Sequence, residues 1–166
     1  MSIDTIKKTV LFVILMLAQV LVLNHIQLLG CATPLLYVYL VLRTNRFSPR
    51  WATLLWGFAL GLSIDCFSNT PGLGAASMTL IALLQPYILD MFIANDNQDD
   101  VKPSFRTLGP AKYVVYTLIC VFIFSLVFFT LEAFSFFNWL QWIYNIIGST
   151  IITILLVLVI ENVRRD

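Results

Sequence analysis

The sequence predicts an all-α fold: an integral membrane bundle of six transmembrane helices, forming a single domain over residues 1–166. Three observations carry this expectation. Hydrophobic residues fill 60% of the chain and charged residues only 11%, with mean hydropathy +0.90, against about 45 to 50% apolar usage in soluble domains. The apolar residues gather into six stretches near the length, about 17 to 25 residues, that a helix needs to cross the hydrocarbon core. The ten Lys and Arg residues occupy alternate connections only, the bias that orients membrane proteins.

The first stretch, about 6–23, carries Lys7 and Lys8 at its start. The second, about 26–42, is short and holds Pro34, so a kink or tilt is expected there, with a neighbour satisfying the backbone group that proline frees. The third and fourth, about 51–68 and 73–93, are joined by a short turn and should pack as a hairpin, with Pro86 kinking the second arm. The connection 94–112, ANDNQDDVKPSFRTLGPAK, opens acidic and closes basic and reads as a solvated hinge between two three-helix halves. The fifth and sixth stretches are about 113–133 and 138–160.

With the N-terminus inside, Lys7, Lys8, Arg43, Arg46, Arg50, Lys102, Arg106, Lys112, Arg164 and Arg165 are all cytoplasmic. The outer connections, NHIQ at 24–27, NTPG at 69–72 and SFFN at 135–138, carry no basic residue. Both termini are therefore expected in the cytoplasm. Residues 28–31, LLGC, imitate a lipoprotein cleavage box before Cys31. However, Asn24, His25 and Gln27 interrupt the apolar run before it and five further spans follow, so the N-terminus is expected to be retained.

A net charge of +1 without a clustered basic face gives no footing for nucleic acid. Cys31, Cys66 and Cys120 lie in apolar runs, in neither a CxxC pair nor a His-containing cluster, and read as small buried side chains rather than metal ligands or disulfides. No cofactor or metal is expected. Catalysis finds few residues to use: the single His25 sits in an outer turn, no HExxH or GxSG occurs, and Asp65 and Asp90 fall at opposite depths, too far apart for an aspartyl dyad. Asp90 and Glu132 mark the inner and outer interfaces.

The informative stretch is GFALGLSIDCFSNTPGLGAAS at 57–77. Gly57, Gly61 and Asp65 recur every four residues with Ser68 three further on, which places them on one stripe of a helix where a second helix can approach closely. Asp65 lies about 14 residues past Trp51, roughly 21 Å along a helix, in the outer third of the core, where a carboxylate is tolerated only with donors arranged around it. Ser68, Asn69 and the backbone amides from Gly72 to Gly74 stand within a turn. Two compatible readings remain open: a cap on the turn that starts the next helix, and the fixed polar anchor of a docking surface.

Six short spans, cytoplasmic ends, small outer turns and a hairpin reading GLSIDCFSNTPGLGAASMTLIALLQPYIL resemble the bacterial rod shape-determining MreD family. The resemblance covers the whole chain in layout and residues 57–89 in detail, with the family's G-x3-D, turn, G pattern falling on Gly61, Asp65, Pro71 and Gly72. It implies a multi-pass protein of the bacterial inner membrane, a non-enzymatic partner of MreC in cell-wall elongation alongside RodA, a penicillin-binding transpeptidase and, indirectly, MreB. On that reading the small-residue groove receives the MreC transmembrane helix. The family is also similar in fold to the S components of energy-coupling-factor vitamin transporters, which makes a ligand-binding transporter subunit the alternative function. The acidic inner loop is longer than the family's, so the resemblance assigns no role to residues 95–107.

Overall fold

The computed structural model describes residues 3–23, 33–45, 48–70, 72–93, 103–133 and 138–163. Among them the chain is helical, with no strand. The long helices are α1 (Ile3–Leu21), α3 (Arg50–Ser68), α4 (Leu73–Asp90), α6 (Pro110–Ala133) and α7 (Trp139–Val163), with two short ones, α2 (Tyr39–Leu42) and α5 (Phe105–Leu108). By length and composition α3, α4, α6 and α7 can each cross a membrane, and the chain is a helical membrane protein on that ground. α1 is as long as α3 but places Asp4, Lys7 and Lys8 in its first two turns, so its uncharged apolar stretch begins only after Lys8.

These helices begin and end within about three residues of the expected stretches, because their limits are set by chemistry visible in the sequence. Pro110 opens α6 where its missing N–H costs nothing, after Gly109 at φ 81°. Outward faces are apolar: Ile147, Ile151, Leu155 and Val159 run along the exposed side of α7, and Val10, Ile14, Leu17 and Leu21 along α1. That is the pattern of surfaces solvated by lipid.

The second expected stretch behaves differently. Thr33 to Leu35 is not helical, and a 3-10 turn, Leu36–Val38, then leads into the single turn of α2. Residues 24–32 lie outside those described, and with them His25 and Cys31. Every residue from Leu35 to Leu42 is buried, and Val38 and Leu42 are fully so. A run such as LLYVYLVL, apolar on every side, suits a membrane span and a wholly enclosed segment equally well. Here it is enclosed, packed among α1, α3, α4 and α7.

The α3–α4 hairpin makes the most extensive helix pairing, with α6 against α4, α7 against α6, and α1 against α3. Of the inner loop, residues 94–102 lie outside those described. Its basic half is ordered rather than a bare hinge: Ser104 and Thr107 close a capping box on α5, and Leu108 joins the core.

Candidate functional site

Asp65 is 3% exposed, so an ionised carboxylate there requires donors. It has them. Gly74 N–H donates to Oδ1 and Ala75 N–H to Oδ2, each at 2.9 Å, and Thr70 Oγ1 adds a longer contact of 3.3 Å to Oδ1. Gly74 and Ala75 are the second and third residues of α4, whose first turn has no side-chain cap of its own. Such amides are orphan donors, and an N-cap side chain normally meets one of them. Asp65 meets two from the preceding helix, placing its negative charge on the positive end of the α4 dipole.

The turn between the helices sets this geometry. Asn69 closes α3 in the left-handed conformation, φ 56°, which asparagine tolerates better than most residues. Its N–H and that of Thr70 both donate to the Asp65 carbonyl. Gly72, at φ 86°, opens α4, and a Cβ added there would meet no atom within 4 Å, so its requirement is the backbone angle rather than space. Ser68 is the last residue of α3 and half-buried. Pro71 lies outside the described residues.

The glycine stripe is filled by α4. A Cβ on Gly61 would lie 2.5 Å from Gly74 O and 2.7 Å from Ala75 Cα, a contact against backbone that no rotamer change relieves. A Cβ on Gly57 would meet Ala82 Cβ and Met78 O at 3.3 Å, tight but adjustable. One on Gly74 would strike Asp65 Oδ1 at 2.7 Å. Gly61 and Gly74 therefore permit the approach that brings Asp65 to its two amides. Gly57, Gly61, Asp65 and Gly74 are all buried within the hairpin, so a helix of another protein cannot use this groove while α4 occupies it.

A second polar cluster was not foreseen from the sequence. Unwound backbone at membrane depth needs partners from the protein itself, and the segment around Pro34 draws them from two helices. Gln19 of α1, 1% exposed, donates through Nε2 to Pro34 O at 2.9 Å and accepts from Leu36 N–H at 3.1 Å. Ser149 Oγ and Thr153 Oγ1 of α7 accept from Thr33 N–H and Leu35 N–H, both at 3.0 Å. Beyond α2, Tyr116 Oη donates to Leu42 O and Gln85 Nε2 to Thr44 O. The short central helix is thus capped at both ends by side chains of α1, α4, α6 and α7. Buried Tyr39 also donates to Glu161 Oε2 at 2.7 Å.

Asp90 ends α4 at the opposite end of the hairpin from Asp65, as its spacing implied. Cys120 is buried as expected, whereas Cys66, also expected to be buried, is exposed near the end of α3; both are free thiols. Among the described residues no group of three or more His, Cys, Asp or Glu is placed to hold a metal ion. No family model, curated protein or solved structure matches the chain.

Proposed function

We propose that the chain is a non-enzymatic scaffold of the bacterial inner membrane, of the rod shape-determining MreD type, with both termini cytoplasmic and six crossings. The observation that carries the non-catalytic part is the state of Asp65. Both of its oxygens are engaged by backbone amides of α4, so the acid that stands out in the sequence is committed to holding a hairpin. A carboxylate so engaged has no open side for a substrate.

A scaffold in lipid needs faces that hold their shape, because association there rests on close packing rather than on hydrophobic expulsion. The glycine contact and the Asp65 cap supply such rigidity to α3 and α4. Side chains from four helices do the same for the central segment. The partners that accompany this reading are MreC directly, then RodA and a penicillin-binding transpeptidase, with MreB coupled through them. Since α4 fills the Gly57 and Gly61 groove, the MreC helix would dock on an outward face of the bundle.

Capture of the tagged full chain from native membranes, with the bound proteins identified, tests the proposal. Recovery of MreC with wall-synthesis proteins is the expected result. Recovery of a pair of ATPases with a membrane coupling subunit would replace the scaffold by the transporter S subunit.

A further inference from the structure

The end of the hairpin opposite Asp65 holds a cavity of about 350 Å³, within the range of small-ligand pockets. It stands where α3 begins and α4 ends, and its lining divides by charge. Arg50 and Asp90 both line it, with Asn45, Ser48 and Thr53 adding polar groups.

The positive side is held in place. The Arg50 guanidinium donates to Tyr87 Oη at 3.2 Å and lies 5.4 Å from the centre of the same ring. One contact of this kind occupies little of a five-donor fork that suits phosphate or carboxylate, and the first turn of α3 adds the positive end of a helix dipole. The acceptor side is built by α4. Pro86 has no N–H, so the Ala82 carbonyl lacks its usual donor one turn on, and both residues line the cavity. Gln85, 2% exposed, commits Nε2 to Thr44 O and Tyr116 Oη, which leaves Oε1 to serve as an acceptor. Asp90 adds its carboxylate at the negative end of the α4 dipole.

Anion-binding and cation-binding groups thus line a single small space. Trp51, 72% exposed, and Tyr87, 54% exposed, adjoin the lining residues Arg50 and Pro86 in the chain, and such rings mark the headgroup level of a bilayer. We propose that this cavity binds a phosphate–ammonium zwitterion, supplied by the headgroup of a phosphatidylethanolamine-type lipid. In that arrangement Arg50 holds the phosphate, and the ammonium donates to Asp90, Gln85 Oε1 and the Ala82 carbonyl. The site does not depend on which side of the membrane this end faces.

The test uses the full chain in nanodiscs containing equal phosphatidylethanolamine, phosphatidylcholine and phosphatidylglycerol with identical acyl chains, released for native mass spectrometry. Wild type should retain phosphatidylethanolamine over each of the others by about fivefold or more, a ratio within reach of one charge-assisted hydrogen bond. Asp90→Asn should erase the preference over phosphatidylcholine, whose methylated ammonium cannot donate, and Arg50→Gln should lower retention of all three. Soluble glycerophosphoethanolamine, titrated into lipid-free micelles, separates the sources: binding there without a lipid preference assigns the site to a free zwitterion. Equal retention of the three lipids with no binding of the soluble compound overturns the proposal. So does a phosphatidylethanolamine preference that survives both substitutions.

Discussion

Gly61→Ala should damage this protein far more than Gly57→Ala, although both add one methyl group to the same stripe of α3. At Gly61 the new Cβ meets Gly74 O at 2.5 Å, whereas ordinary contact begins at 3.4 Å, so α4 must move out by about 0.9 Å. The Asp65 bonds to Gly74 and Ala75 stand at 2.9 Å, and a shift of that size takes them beyond the roughly 3.2 Å limit of a sound N–H to oxygen bond. Overpacking of about 1 to 3 kcal/mol combines with the loss of those bonds to give a cost of about 2 to 4 kcal/mol. At Gly57 the nearest atoms lie at 3.3 Å, and the small strain is offset by the roughly 0.5 to 1 kcal/mol that alanine gains over glycine within a helix. Reversible unfolding by sodium dodecyl sulfate in mixed micelles, followed by tryptophan fluorescence, measures both. If Gly61→Ala stays within about 0.5 kcal/mol of wild type, or if the two variants cost the same, close backbone approach is not what the glycines provide.

Other substitutions should separate the two polar clusters. Asp65→Leu strands two buried amides and should cost about 2 to 4 kcal/mol in the same titration; Asp65→Asn, with a single acceptor oxygen, should fall between Leu and wild type and retain partial capture of partners. Gln19→Leu removes the donor to Pro34 O and the acceptor of Leu36 N–H and should cost about 1 to 2 kcal/mol, since polar contacts in lipid are worth less than their count suggests. Thr153→Val should cost less than Gln19→Leu, because it deprives the Leu35 amide alone, and the difference is read by the same unfolding curves. Cysteine labelling in sealed cells should find a cysteine placed at residue 69 reachable from outside and ones at 105 and 166 protected, as the basic split requires. External labelling at 105 would reject that topology.

The α3–α4 hairpin was legible in the sequence because its signals are local. An apolar run ends at Ser68, turn-forming residues come next, and an acid sits one turn before them. Of the donors expected around Asp65, the Gly74 amide is one; the other amide, of Ala75, lies one residue beyond the expected Gly72 to Gly74. The carboxylate crosses to the incoming helix, and only the depth of the Gly61 contact decides which amides it reaches. The central segment was illegible for a related reason. Its partners Ser149 and Thr153 lie more than a hundred residues away, and its own composition carries no polar face to show which way it turns. The available signals were single polar residues in apolar helices, Gln19 in α1 and Ser149 with Thr153 one turn apart in α7, coupled to a proline that must break the intervening span. Tyr39 and Glu161, separated by a similar distance, offered still less.

Amide hydrogen exchange at Gly74 and Ala75, followed by NMR on the full chain in lipid nanodiscs, reads the role of Asp65 most directly. In wild type both amides should be protected like those in the middle of α4, although an uncapped first turn exchanges freely. In Asp65→Leu they should exchange about tenfold faster or more, the loss expected for a buried bond of at least about 1.4 kcal/mol, while Met78 and Ile81 keep their rates. Unchanged protection at Gly74 and Ala75 in that variant would contradict the cap. If such a variant also failed to recover its partners, the charge of Asp65 would belong to a partner's site and not to the hairpin.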